Sequence, residues 1–192
     1  MKVVAINGSP RKEGNTTMLV RHVFSELEKE GIETELVQLA GKKIHGCLSC
    51  FKCFTNQDQK CSIKNDDFND CLARMAEADG IILASPTYVS SITAEMKALI
   101  DRGCMVVLAN GNTMLKRKVG AAVVTARRAG SMMAFNTLNQ FFMISQMIVP
   151  AAKYWNIGIG LMPGDVEKDE EGLSIMQSLG ENMAWLLKKI IS

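Results

Sequence analysis

Residues 1–18 read Met1-Lys-Val-Val-Ala-Ile-Asn-Gly-Ser-Pro-Arg-Lys-Glu-Gly-Asn-Thr-Thr-Met18. Val3, Val4, Ala5 and Ile6 form a continuous apolar run, which marks a parallel strand buried on both faces rather than an alternating, half-exposed one. Gly8, Pro10 and Gly14 punctuate the turn that follows. Asn15, Thr16 and Thr17 then offer capping oxygens to a helix whose apolar stripe is Met18, Leu19, Val23, Phe24 and Leu27. Strand, glycine turn and helix N-terminus in succession make an anion site, because unpaired N–H groups and the positive end of the helix dipole converge there.

Outward from that unit, strand and helix keep alternating. Residues 33–39 read as a second strand whose charged residues place it at a sheet edge, and Gly31 before it suits a helix C-cap. A cysteine-bearing loop occupies residues 41–64. Asn65 or Asp66 is positioned to cap a helix with Phe68, Cys71, Leu72 and Met75 on its apolar face. Residues 80–84 form a third buried strand, followed by a loop over 85–93 and a helix over 94–104. A fourth strand spans 119–124 and leads through residues 125–131 into a Met-rich helix that ends near Met147. A last short strand is expected within 148–157, residues 165–171 read as a solvated loop, and Ser174 with Gln177 forms a capping box for the final helix. This alternation predicts an α/β fold, a doubly wound five-stranded parallel sheet of order 2-1-3-4-5, over one domain of residues 1–192. The loops after strands 1 to 4 would then share one sheet edge, where ligands of such sheets gather.

The 192 residues carry 22 Lys and Arg against 20 Asp and Glu, a formal charge of +2, with the cations dispersed, so no nucleic-acid footprint is present. The most apolar stretch, residues 132–149, is interrupted by Asn136, Asn139, Gln140, Ser145 and Gln146 and is no membrane span. Acidic and polar residues arrive by Glu13, unlike a signal peptide, so six cysteines point to reduced thiols or metal ligands in a cytoplasmic setting.

The anion loop excludes two common ligands. No Lys precedes Thr16 as a P-loop requires, and the glycines do not fit G-x-G-x-x-G. Hydroxyls, one Asn and the cation Arg11 suit one terminal phosphate dianion. Gly8-Ser9-Pro10-Arg11 followed by Gly14-Asn15-Thr16-Thr17 resembles the FMN phosphate loop of the NADPH-dependent FMN reductase family of flavodoxin-like proteins. The resemblance implies FMN held by Ser9, Arg11, Asn15, Thr16 and Thr17. Ser85-Pro86-Thr87-Tyr88, followed by Lys97 to Arg102, also resembles that family and implies a loop cradling the isoalloxazine ring. Residues 125–131 occupy the place of the third flavin loop, which implies Ala126, Arg127 and Gly130 as further contacts; either Arg127 or Arg128 could face the flavin. Asp101 and Arg102 read as a structural pair or a subunit contact.

Cys47, Cys50, Cys53 and Cys61 give C-x2-C-x2-C-x7-C. Two successive x2 spacings crowd three thiolates on a coil as in ferredoxin cluster loops, a better match to a [4Fe–4S] cubane than to zinc, with free or redox-paired thiols as the plainer reading. His45 flanks the motif. Cys71 and Cys104 read as small core residues. With the flavin loops, the motif resembles the iron–sulfur flavoproteins of anaerobic archaea and bacteria, which implies Cys47, Cys50, Cys53 and Cys61 as cluster ligands. The Met-rich stripe of Met132, Met133, Phe135, Leu138, Phe142 and Met147 reads as core. The resemblance further implies a homodimer or homotetramer and an electron donor such as ferredoxin, or NAD(P)H. Three functions follow: an electron-transfer flavoprotein joining a cluster to FMN, an NAD(P)H-dependent FMN or quinone reductase with non-cluster cysteines, or a zinc-stabilised binding module without redox activity.

Overall fold

Val3 to Ile6 lie at the centre of the molecule, none of them exposed, because β1 (Lys2–Asn7) has a strand on each side and a helical layer over each face. The computed structural model describes residues 1–191; Ser192 lies outside the described residues. The other strands are β2 (Glu33–Gln38), β3 (Gly80–Pro86), β4 (Val119–Ala126) and β5 (Ile157–Ile159). All neighbours pair parallel, in the order β2-β1-β3-β4-β5. The charged β2 forms one edge, as its residues predict.

Alternate residues of β1, β3 and β4 enter two cores. Val4, Ile6, Ile81, Leu83, Ala122 and Val124 pack under α3 (Phe68–Glu77), α4 (Ala94–Ala109) and α5 (Ser131–Ile144). Val3, Ala5, Ile82, Ala84, Ala121 and Val123 pack under α1 (Asn15–Lys29) and α6 (Glu170–Ile191). A short α2 (Lys52–Asn56) lies inside the cysteine loop, which patterning alone read as coil.

Several local expectations are corrected. Asn15, Thr16 and Thr17 open α1 without capping it; Gly14 is the N-cap and no side chain bonds the first turn. Asp67 holds the N-cap position of α3, while the expected Asp66 still supplies the capping oxygen, its Oδ1 accepting from Phe68 N at 3.3 Å. The α6 helix starts at Glu170 rather than Ser174, because the Asp169 carboxylate already accepts from Gly172 N at 3.0 Å. Residues 165–171 are not a solvated loop: a 3-10 turn spans Asp165–Lys168, buries Val166, and Asp165 Oδ2 accepts from Met162 N at 2.7 Å. The last strand falls at Ile157–Ile159, beyond an isolated parallel bridge between Val119 and Ile148. The Met-rich stripe divides: Leu138 and Phe142 are buried, while Met132 and Met133 are exposed. The α4 helix runs on to Ala109, which leaves Cys104 within it and half-buried. No helix among the described residues is long and apolar enough to cross a membrane.

Candidate functional site

Four strand ends meet in one pocket, lined by Ser9, Arg11, Asn15 and Thr16 after β1, by Pro86, Thr87 and Tyr88 at the end of β3, by Thr125, Ala126 and Arg127 at the end of β4, and by Gly160 and Leu161 after β5. The loop after β1 is braced by its own polar groups. Ser9 N donates to Asn7 Oδ1 at 2.9 Å, Arg11 N to Ser9 Oγ at 3.2 Å, and Thr17 Oγ1 to Lys12 O at 2.7 Å. Gly8 has no alternative, since a Cβ there would stand 2.7 Å from Thr93 Oγ1. With α1 uncapped by any side chain, its first N–H groups remain free for an anion. Arg11 and Arg127 are the cations of the lining, and no lining residue is acidic. The Thr87 hydroxyl is buried without a hydrogen-bond partner, so the pocket holds a polar group that asks for a ligand's.

The side chains predicted for this site divide. Thr17 turns away, accepting from Asn7 Nδ2 at 2.8 Å, so it faces the loop's scaffold. Ser85 is buried below the pocket, where its hydroxyl accepts from Thr93 N at 3.1 Å and donates to Pro86 O at 2.9 Å. Gly130, at φ 85°, lets its loop press on Ser90, whose Oγ would stand 2.6 Å from an added Cβ. None of the three lines the pocket. Both Arg127 and Arg128 are exposed, and Arg127 alone of the two is part of the lining. Gly160 and Leu161 escaped sequence reasoning. Arg11 Nη1 donates to Leu161 O at 3.2 Å, and a Cβ on Gly160 would meet Asn15 Nδ2 at 2.7 Å, so this segment is pinned to the phosphate-type loop. The pair Gly158 and Gly160 flanking one residue was the available signal.

A second pocket is lined by Cys47, Cys50, Cys53 and Cys61 together with Phe51, Met105, Val106 and Arg102. It shares no lining residue with the first. The loop coils tightly around it, with left-handed backbone at Ser49, Phe51, Gln57 and Gln59. Ser49 N donates to Cys47 Sγ at 3.5 Å. The Cys50 thiol is lowered below its ordinary value, first by the Lys52 N–H and then by the Ser62 hydroxyl, whereas burial pushes the Cys53 thiol up. No three His, Cys, Asp or Glu side chains among the described residues converge as one metal ion requires. A cubane fills the space between its thiolates and holds them farther apart than a single ion does, so four sulfurs spread around one pocket fit that donor set.

Arg102 is the main departure from expectation. Asp101 pairs instead with Lys97, at 2.6 Å, and Arg102 is buried. Its guanidinium bonds Asp66 through both terminal nitrogens, donates to His45 O at 3.1 Å and lies 4.0 Å above the Phe68 ring. Burial opposes its charge, but the Asp66 carboxylate and then the Cys61 sulfur outweigh that and raise its pKa. His45, expected as a flanking imidazole, contributes backbone groups here, its N donating to Asp66 Oδ2 at 3.1 Å. Cys71 is fully buried, and its thiol is pushed up to about 11 by that burial.

A profile of the NADPH-dependent FMN reductase family matches residues 1–161. An iron–sulfur flavoprotein of Methanocaldococcus jannaschii is 41% identical over 197 residues, covering 99% of each chain. A second from the same organism is 32% identical over 198 residues, covering 98% of each. Among solved structures, RosB with bound 8-demethyl-8-formylriboflavin-5'-phosphate superposes with a TM-score of 0.76 over 100% of this chain and 80% of that one, at 19% identity, a likeness of fold.

Proposed function

The chain belongs to the NADPH-dependent FMN reductase family and is a flavin-dependent oxidoreductase, and from that premise we propose that it is an iron–sulfur flavoprotein passing electrons between a [4Fe–4S] cluster and FMN, from a donor such as ferredoxin to a small acceptor. The observation that carries this reading is the pairing, in one chain, of an acid-free pocket at a helix N-terminus with a separate pocket lined by four cysteines. When bound, FMN supplies exchange of one or two electrons and the cluster exchange of one at a time.

Ser9, Arg11, Asn15 and Thr16 hold the FMN phosphate, with Thr17 contributing its backbone N–H alone. Pro86, Thr87 and Tyr88 hold the ring, and the unpartnered Thr87 hydroxyl is satisfied by its polar edge. Arg127 offsets the negative charge that reduction places on the flavin. Ser85 and Gly130 shape these loops from beneath and beside them, and Ala126 forms part of the floor. Cys47, Cys50, Cys53 and Cys61 hold the cluster. The whole chain works as one flavodoxin-like domain in the cytoplasm, with residues 41–64 as the cluster loop, and assembles as a homodimer or homotetramer.

Anaerobic purification with flavin, iron and zinc analysis tests the reading. We expect FMN and about four iron atoms per chain, with a broad visible absorption that bleaches on reduction. FMN accompanied by stoichiometric zinc, or by no metal, together with rapid NADPH turnover would transfer the reading to an NAD(P)H-dependent reductase with non-cluster cysteines. Zinc without FMN would leave a binding module.

A further inference from the structure

Arg102 contains a donor that the protein leaves unused. Its side chain and that of its partner Asp66 are both fully buried. The terminal nitrogens are spent on Asp66 and on His45 O, and the ring of Phe68 covers one face. Nε–H is buried and donates to nothing. A buried guanidinium N–H without an acceptor is costly, and native structures rarely retain one without a reason. The pocket that Arg102 lines is the one lined by the four cysteines, with the Cys61 sulfur beside the guanidinium.

We propose that Arg102 is a positioning residue for the cluster: Asp66 and Phe68 orient its guanidinium so that Nε–H donates to the sulfur of Cys61 and the cation favours the reduced state. This rests on the reading that the four cysteines hold a [4Fe–4S] cluster. When one electron arrives from a one-electron reductant, no covalent bond forms or breaks and the sulfur-lined pocket gains one negative charge. A fixed cation beside it, shielded from water, favours that state, and hydrogen bonds to sulfur act in the same direction. Asp66 opposes the cation in part, so the two residues set the potential in opposite senses.

The test is an anaerobic, EPR-monitored dithionite titration of the iron-loaded wild type and of Arg102→Gln, Arg102→Lys, Asp66→Asn and Lys97→Gln, each preceded by iron analysis. Arg102→Gln should make one-electron reduction at least tenfold less favourable, a potential about 59 mV lower. Arg102→Lys should fall between Gln and wild type, and Asp66→Asn should shift the equilibrium the other way. Lys97→Gln removes an exposed cation of α4 and should move it less than twofold, because solvent screens that charge. Unmoved potentials in iron-loaded Arg102 variants, or shifts of the same sign for Arg102→Gln and Asp66→Asn, overturn the proposal. Loss of iron from Arg102→Gln alone passes the decision to the Lys and Asn variants. Loss from all three reduces the pair to a contact that holds the loop and overturns tuning. A wild type without iron refutes the cluster reading itself.

Discussion

The flavin-type pocket and the cysteine pocket differ in what holds them together. Each wall of the first is the continuation of a strand. Gly8 N donates to Ala84 O at 2.8 Å, Thr87 N to Thr125 O at 2.7 Å and Gly160 N to Ala126 O at 2.9 Å, so the sheet's own ladder runs out to the binding residues. The second hangs from the fold by side chains. Asn69 Oδ1 accepts from Cys61 N at 2.8 Å, and Asn69 Nδ2 donates to Cys61 O at 3.0 Å and to Ile63 O at 3.1 Å. Gln57 Nε2 reaches Ala109 O at 3.3 Å, and Arg102 bonds Asp66 and His45. Cys47 and Cys50 are exposed, with no ladder behind them. One site is therefore built into the sheet's own ladder, and the other is held by side-chain hydrogen bonds.

The strongest challenge to that comparison is a reciprocal pair of variants. Cys50→Ala should drop iron from about four atoms per chain to none while FMN stays bound at full stoichiometry. Arg11→Ala should weaken FMN binding by about 1–3 kcal/mol, the scale of a lost charged hydrogen bond, and leave iron unchanged. Flavin loss in the first, or iron loss in the second, would show the two sites to be one cooperative unit.

Asn69→Ala sharpens the account of the loop. It removes three hydrogen bonds to the backbone around Cys61 and should lower unfolding free energy by about 1–3 kcal/mol in a denaturant titration. It should also speed iron release to a chelator, and FMN affinity should stay as in the wild type. A chelation rate equal to wild type would mean that the loop needs no such tether.

A smaller effect is expected at the pocket's rim. Val89 and Ser90 form a two-residue turn between Tyr88 and Ser91, with φ of 48° and 58°. Valine is strained in that region, whereas asparagine tolerates it, and Val89 is fully exposed with no packing to lose. Val89→Asn should stabilise the protein by about 0.5–1 kcal/mol, measured by thermal or denaturant unfolding, without changing FMN affinity, because Val89 is not part of the pocket's lining. Destabilisation would show that the strain reading of this turn is wrong.

Much of the sheet was legible because burial on both faces leaves a local mark. The runs at 3–6, 80–84 and 119–124 are apolar without alternation, and all three became central strands. β5 left almost no mark, since three residues at an edge need no such run. Caps failed for a related reason. Thr16, Thr17 and Asn15 had better partners available than their own helix: Thr125 Oγ1 at 2.8 Å, Lys12 O, and Gly164 N at 2.9 Å. A capping motif states what a side chain can bond, and the folded chain decides among its competitors.

By themselves, the residues determined the parallel αβ order, the anion-type turn after β1 and the compact four-cysteine spacing, since each depends on neighbours a few positions apart. Tertiary structure alone decided the partner of Arg102, which is Asp66, 36 residues away, and the wall of the flavin-type pocket at Leu161, 150 residues from the Arg11 that bonds it. It also decided that Arg127 rather than Arg128 joins the lining, and that Thr17 turns away from the pocket. Which polar group a side chain bonds, and whether a charge is buried, depends on segments brought together by the whole sheet, and local spacing carries no record of them.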